Sequence, residues 1–206
     1  KIPFAQISGP NFAHEISQGK PSATAIGSSD PEFGNVLASA IRHENFRPYP
    51  TQDFIGVQVG GALKNVIAIA AGISDGMGLG ANARAALIAR GLAEIARFGV
   101  SLGAVSETFM GMAGVGDLVL TCSDDQSRNR RYGLALADLK EPSDTPKSAP
   151  MLVEGVYSAH AVIERARKSG LEMPISQTVA DIVSGRQRPK EAVSNLLSRK
   201  IPDHGT

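Results

Sequence analysis

Residues 54–73 read FIGVQVGGALKNVIAIAAGI, and Lys64 is the only charge among them. A run of this length can cross a bilayer as a helix. Yet it carries Gly56, Gly60, Gly61, Gly72, Gln58 and Asn65, and it lies between Asp53 and Asp75. Polar and small residues in this pattern argue for a helix enclosed by protein rather than lipid. The small residues at 60–62 predict close helix packing. The rest of the chain must therefore be arranged around this segment, and no membrane span is expected. An amine in apolar surroundings loses solvation, which favours its neutral form. Such an amine is either anchored by an anion or tuned for proton transfer. The structural alternatives are a lysine that snorkels from a helix end or pairs with a core carboxylate.

The 206 residues leave room for one or two domains, and two stretches of different character are visible. Strands are expected at 4–7, 23–26 and 46–49, separated by turn residues and by a helix that Asp30 caps and Pro31 opens. Strand–helix–strand order is an α/β signature. Three strands are too few for a doubly wound sheet, so residues 1–52 read as an α/β remnant, the end of such a sheet. From residue 53 to 206 the pattern is helical. After 54–73, helices are expected from Asn82 as a cap, from Ser106, from Asp117 and from Ser127, then at 155–169, 176–184 and 189–199. Residues 140–150, KEPSDTPKSAP, read as an exposed loop.

Composition removes several classes of function. A net charge of +1 gives no global attraction to nucleic acid or membrane. One cysteine, Cys122, excludes an internal disulfide and fits a reducing, cytoplasmic setting. No nucleophile motif surrounds it, and it reads as a core thiol. His14, His43, His160 and His204 are scattered without metal-ligand spacing, so no metal site is expected. No signal-peptide pattern opens the chain, whose first residue is Lys1 rather than Met.

Four places besides Lys64 can carry chemistry. Ser8-Gly9-Pro10-Asn11-Phe12-Ala13 follows a strand, where α/β proteins bind ligands, and is equally an ordinary strand-to-helix turn. The segment 111–117, GMAGVGD, permits close backbone approach; its Asp117 can cap a helix or reach a ligand hydroxyl. Ser127-Arg128-Asn129 sets a helix start, a bidentate guanidinium and an amide side by side, which suits one phosphate group. It is also readable as a solvated basic turn. Only Tyr132 lies nearby, so aromatic interleaving for nucleic acid is lacking. Glu154-Gly155 can hold a ribose hydroxyl or cap a helix.

The strings SGPNFAHE, GGALKNVIAIAAGISDGMGLGANARAALIARGLAEIARFG, TFMGMAGVGDLVLTC, QSRNRRYG and VEGV stand in this order. In sequence and order they resemble bacterial NAD(P)-dependent glycerol-3-phosphate dehydrogenase, over nearly the whole chain. The resemblance implies that residues 1–52 end an incomplete Rossmann-type dinucleotide-binding domain and that 53–206 form the substrate domain. It implies interconversion of sn-glycerol 3-phosphate and dihydroxyacetone phosphate with NAD or NADP, in supply of phospholipid precursors. Lys64 matches the family's proton acceptor. Gly9, Asn11, Asp117, Ser127, Arg128 and Asn129 match substrate contacts, and Ala13, Arg128, Leu152 and Glu154 match cofactor contacts. A homodimer is compatible with this reading.

Three departures from the family pattern stand out. The chain has no glycine-rich dinucleotide fingerprint near its start, so it is expected to hold most of the substrate site and little of the cofactor site, and to be inactive alone. Asn11 occupies a position where the family usually has serine or threonine. Residues 140–150 differ from the usual family segment. Two other readings remain: a different 2-hydroxyacid dehydrogenase of the same superfamily, and a non-catalytic helical dimerisation module.

Overall fold

A computed structural model describes residues 2–139, 141, 144 and 153–198 of the chain. Three strands open it: β1 (Ala5–Ser8), β2 (Ser22–Ser28) and β3 (Phe46–Thr51), in the order β1-β2-β3. Strands β2 and β3 are parallel, with Ser22 opposite Phe46 and Gly27 opposite Thr51. Helix α2 (Pro31–Ile41) makes their crossover, and the Asp30 carboxylate caps it through Phe33 N–H at 3.0 Å. Strand β1 runs antiparallel to β2, from Ala5 opposite Ser28 to Ser8 opposite Ala25. The sheet is thus mixed, where a doubly wound sheet is mostly parallel. The link over residues 9–21 holds only the five-residue α1 (Ala13–Ser17) and does not make a helical crossover. Pro48 and Pro50 lie in β3, which among the described strands is an edge strand beside β2; an edge position tolerates their missing N–H groups.

Asp53 joins the sheet to the helices. Its Oδ1 caps α3 (Phe54–Gly76) at Gly56 N–H, 2.8 Å, and its Oδ2 accepts from Val105 N–H at 2.9 Å. From Asn65 to Ile69 every residue of α3 is buried, so the helix is enclosed all round. Helices α4 (Gly80–Ser101), α5 (Asp117–Ser123), α6 (Arg128–Leu136), α7 (Glu154–Lys168) and α8 (Pro174–Val183) all pack on it, as do β1 and β2. Helix α9 (Pro189–Ser198) packs on α8. By length and composition α3 is able to cross a membrane, but most of it is buried within the fold.

Glycines set how closely these elements approach. A Cβ at Gly72 would overlap the Arg130 carbonyl, and one at Gly133 the Ile69 carbonyl, so α3 and α6 meet backbone to backbone. Two expected helix starts differ from the sequence reading. Asn82 is not the cap of α4, which begins at Gly80 after Leu79 with no side-chain cap. Positive φ at Gly78 (71°) and Gly80 (85°) reverses the chain two residues earlier. Ser106 starts only a five-residue 3₁₀ turn, Ser106–Met110, followed by a π-helical turn, Met112–Gly116. Most of the proline-containing segment 140–150 lies outside the described residues.

Helix α8 has no side-chain cap of its own. Glu94 of α4, only 1% exposed, supplies one. It accepts from Ile175 N–H at 2.9 Å, Ser176 N–H at 2.8 Å and Ser176 Oγ at 2.7 Å. Burial raises its pKa above the ordinary carboxylate value, against the opposing pull of these bonds and of Arg97. A raised folded-state pKa stabilises fully below the unfolded-state value, and that contribution is lost as pH rises through the raised value. Denaturant unfolding from acidic to neutral pH should show this loss in the wild type and lack it in Glu94→Ala. The variant should also be weaker by at least about 2 kcal/mol at either extreme, because two buried N–H groups lose their acceptor.

Burial likewise pushes the Cys122 thiol up to about 12, which leaves it protonated and inert. A thiol reagent should label it only as fast as the protein unfolds. Rapid labelling without denaturant would contradict its enclosure.

Candidate active site

The charge on α3 is answered from α5. Lys64 Nζ lies 2.6 Å from each carboxylate oxygen of Asp117, whose side chain is 2% exposed against 22% for Lys64. The glycine segment explains how the carboxylate arrives there. A Cβ at Gly60 would overlap the Ala113 carbonyl, and one at Gly114 the Phe109 carbonyl. Residues 111–116 therefore lie directly on α3, kink at Gly114 (φ −108°, ψ −107°), and deliver Asp117 as the first residue of α5. Asp117 does not cap that helix through its side chain. Ser8 Oγ of β1 donates to its Oδ2 at 2.9 Å. Thr121 Oγ1 lies 2.6 Å from its carbonyl and 3.2 Å from its Oδ1. Gly61 leaves room for the serine, since a Cβ there would stand 2.6 Å from Ser8 Oγ.

A second set of bonds ties α3 to α6 and α7. Asn129 Nδ2 donates to Asn65 Oδ1 at 2.9 Å, and Asn129 Oδ1 accepts from Gly155 N–H at 2.9 Å. Asn65 Nδ2 donates to Glu154 Oε2 at 3.2 Å. Ser127 caps α6 through Arg130 N–H at 3.2 Å. Arg128 extends from the same turn, 44% exposed, with its Nη2 3.7 Å from Glu154 Oε1.

These groups enclose a cleft of about 330 Å³, lined on one side by residues 6–9, Asn11 and Phe12, and on the others by Gly61, Lys64, Asn65, Thr121, 126–129 and Glu154. Asn11 Nδ2 is buried and has no hydrogen-bond partner among the described residues. The cleft thus offers an amine, a guanidinium and an unengaged amide donor, with carboxylates beneath and at the rim. This set suits a small anionic polyol. Among the described residues no group of histidine, cysteine or carboxylate side chains is arranged to hold a metal ion. A second cavity, about 150 Å³, lies between α3, α4, α8 and α9; Arg90 is its one charged lining residue, and it gathers no comparable polar set.

Comparison with known proteins identifies the family. Residues 53–194 match the family model described as NAD-dependent glycerol-3-phosphate dehydrogenase C-terminus. The chain belongs to this family. It is 51% identical over 200 residues to glycerol-3-phosphate dehydrogenase [NAD(P)+] of Pseudoalteromonas translucida, covering 97% of this chain and 60% of that protein. It is 49% identical over 204 residues to the enzyme of the same description from Serratia marcescens, covering 98% of this chain and 60% of the relative. The crystal structure of glycerol-3-phosphate dehydrogenase from Coxiella burnetii superposes with a TM-score of 0.90 at 43% identity, covering 97% of this chain and 61% of that one. The chain therefore spans about 60% of the length of the relatives it matches.

Within this family member the residues anticipated from sequence fall into three groups. Gly9, Asn11, Lys64, Ser127, Arg128, Asn129 and Glu154 line one cleft, and Asp117 lies under it on Lys64. Ala13 is exposed at the first residue of α1 and does not line the cleft. Leu152 lies outside the described residues. Sequence reading named Ser8 only as the start of the turn at 8–13, and did not assign Asn65 or Thr121 to the site. Asn65 left a local trace, as a second polar residue inside the apolar run.

The Lys64–Asp117 pair is the shorter and more buried of the cleft's two ion pairs, the other being Arg128–Glu154. Asp117→Asn should reduce unfolding free energy by about 3 kcal/mol, since the lysine then faces an amide in place of a carboxylate. Denaturant titration at neutral pH checks this. A loss within a few tenths of a kcal/mol would show the pair to be solvated.

Proposed function

We propose that this chain supplies the substrate-binding and proton-transfer part of an enzyme that interconverts sn-glycerol 3-phosphate and dihydroxyacetone phosphate with NAD or NADP. The observation that carries the reading is the convergence of Lys64 and Arg128 on one polar cleft. The same reading divides the chain at residue 52, with 1–52 belonging to a dinucleotide-binding domain and 53–206 forming the substrate domain. Support comes from the family model starting at residue 53. It assigns the protein to the cytoplasm, where the product would serve glycerophospholipid synthesis.

The donor set fits both ligands. The unengaged Asn11 amide and the Arg128 guanidinium are suited to phosphate oxygens. Glu154, half exposed at the rim, can accept from a ribose hydroxyl of the cofactor, with Arg128 beside it. NAD(P), when bound, gives or takes the hydride at C2. The chain's own residues handle the proton. An ammonium has three N–H donors; two of those on Lys64 are directed at Asp117, which leaves one for the substrate's C2 oxygen. In reduction that donor passes its proton to the carbonyl oxygen as the alcohol forms. In oxidation the neutral amine takes the hydroxyl proton. Before transfer the same N–H stabilises charge developing on oxygen. Asp117 holds the amine in place and balances the charge of its ammonium form.

Two measurements test this. Glycerol 3-phosphate, well above its dissociation constant, should raise the melting temperature, while plain glycerol at the same concentration should do much less. In the full-length enzyme Lys64→Ala should lower turnover by a factor on the order of 10²–10⁴. Near-normal turnover in a folded variant would remove Lys64 from the reaction.

A further inference from the structure

Arg128 and Arg130 are two positions apart at the start of α6, and such residues do not share a helix face. One borders the cleft; the other turns back into the protein, and Arg130 is only 8% exposed. Its guanidinium has three protein partners in different directions. Nε donates to the Cys122 carbonyl at 3.1 Å, Nη1 to Asp125, and Nη2 to Asp75 at 2.7 Å. Asp75 stands near the C-terminal end of α3 and also receives Arg84 Nη1 at 2.9 and 3.0 Å.

We infer that Asp75 is a positioning residue for the anion-facing turn: it fixes Arg130 on α3, and Arg130 holds the turn that presents Ser127 and Arg128 to the cleft. This rests on the function proposed above. Cys122 lies just before, and Asp125 within, a turn fastened to itself by Ser127 N–H to the Asp124 carbonyl at 3.1 Å and Gln126 N–H to Asp124 Oδ1 at 2.8 Å. That turn is a unit, and among the described residues its hydrogen-bonded link to α3 runs through the guanidinium. A guanidinium presents its donors in a rigid plane, in fixed directions, where those of an ammonium rotate on a flexible stem. Helix α6 itself has an independent seat, the close backbone contacts at Gly72 and Gly133. Loss of the Asp75 charge should therefore loosen the turn and leave the helix in place. Arg130 would still keep Asp125 and the Cys122 carbonyl, and Arg84, partly exposed, would turn to water.

The test uses the full-length protein and the variants Asp75→Asn and Asp75→Glu. In Asp75→Asn the KM for sn-glycerol 3-phosphate should rise by about tenfold, as expected for a clamp displaced by a fraction of an ångström. Its kcat should stay within about threefold, because the Lys64–Asp117 pair is untouched. Asp75→Glu keeps the charge and should restore most of the KM. Amide hydrogen exchange at 124–129 should accelerate in Asp75→Asn while α6 beyond residue 131 keeps its protection. A KM within twofold of wild type, a fall in kcat of the same size as the rise in KM, or unchanged exchange at 124–129 would each overturn the inference. Absence of glycerol phosphate turnover in the wild type would instead refute the proposed function. The exchange measurement would then decide alone whether Asp75 fixes the turn.

Discussion

Enclosing α3 on every side places the amine of Lys64 where bulk water reaches it only from the cleft. An uncompensated charge in such a position is expensive, so the fold must bring a carboxylate to it. Asp117 does this from 53 positions away in sequence, and the rest of the site follows from that need. The glycine segment 111–116 exists at its observed closeness because α3 offers Gly60 as a landing place. The serine that ends β1 then reaches the same carboxylate over Gly61. One ion pair thereby joins the sheet, the central helix and α5, and it does so at the wall of the cleft.

The site is rigid for the same reason that the core is. Backbone-to-backbone contact between α3 and α6 leaves no side chain to rearrange between them. Asn65 and Asn129 are the neighbouring residues that bridge these helices, and each spends its amide on protein partners. Asn11 differs. Its amide is buried but unengaged among the described residues, a condition that costs stability in the free protein and is relieved when a ligand accepts from it.

Much of this was legible in the chain before any coordinates. A lone lysine within an apolar run is visible locally, and so are the caps at Asp30 and Ser127, because each depends on residues three positions on. The order of the strands and of most helices followed from period and turn residues. What stayed hidden depends on distant partners. The antiparallel setting of β1 is decided by how residues 9–21 return, not by the composition of the strand. Asp117 read equally as a cap or a ligand contact because its true partner lies on another helix. Asn82 misled because it is a good capping residue beside glycines whose backbone angles end the turn earlier. Ser8 was visible only as the start of a strand-to-helix turn, and Thr121 carries no local sign, until Asp117 is placed between them.

The balance of charge in the cleft bears on the anion proposed for it. Formally Lys64 and Arg128 are matched by Asp117 and Glu154, so a count of charges predicts no preference. Burial breaks the tie. Two unit charges about 4 Å apart attract by about 1 kcal/mol in water and by about 4 kcal/mol at the effective dielectric of a protein surface. The Lys64–Asp117 pair, short and enclosed, is on the strong side of that range, and its charges are largely spent on each other. The Arg128–Glu154 pair is longer, at 3.7 Å, and both partners are about half exposed. Exposed pairs of this kind contribute little. Arg128 therefore keeps most of its charge available to the cleft, and its planar donors match a phosphate group better than the single distant carboxylate oxygen they face in the free protein. An incoming phosphate would displace a weak contact while leaving the strong one beneath it intact, which separates the part of the site that grips from the part that moves the proton.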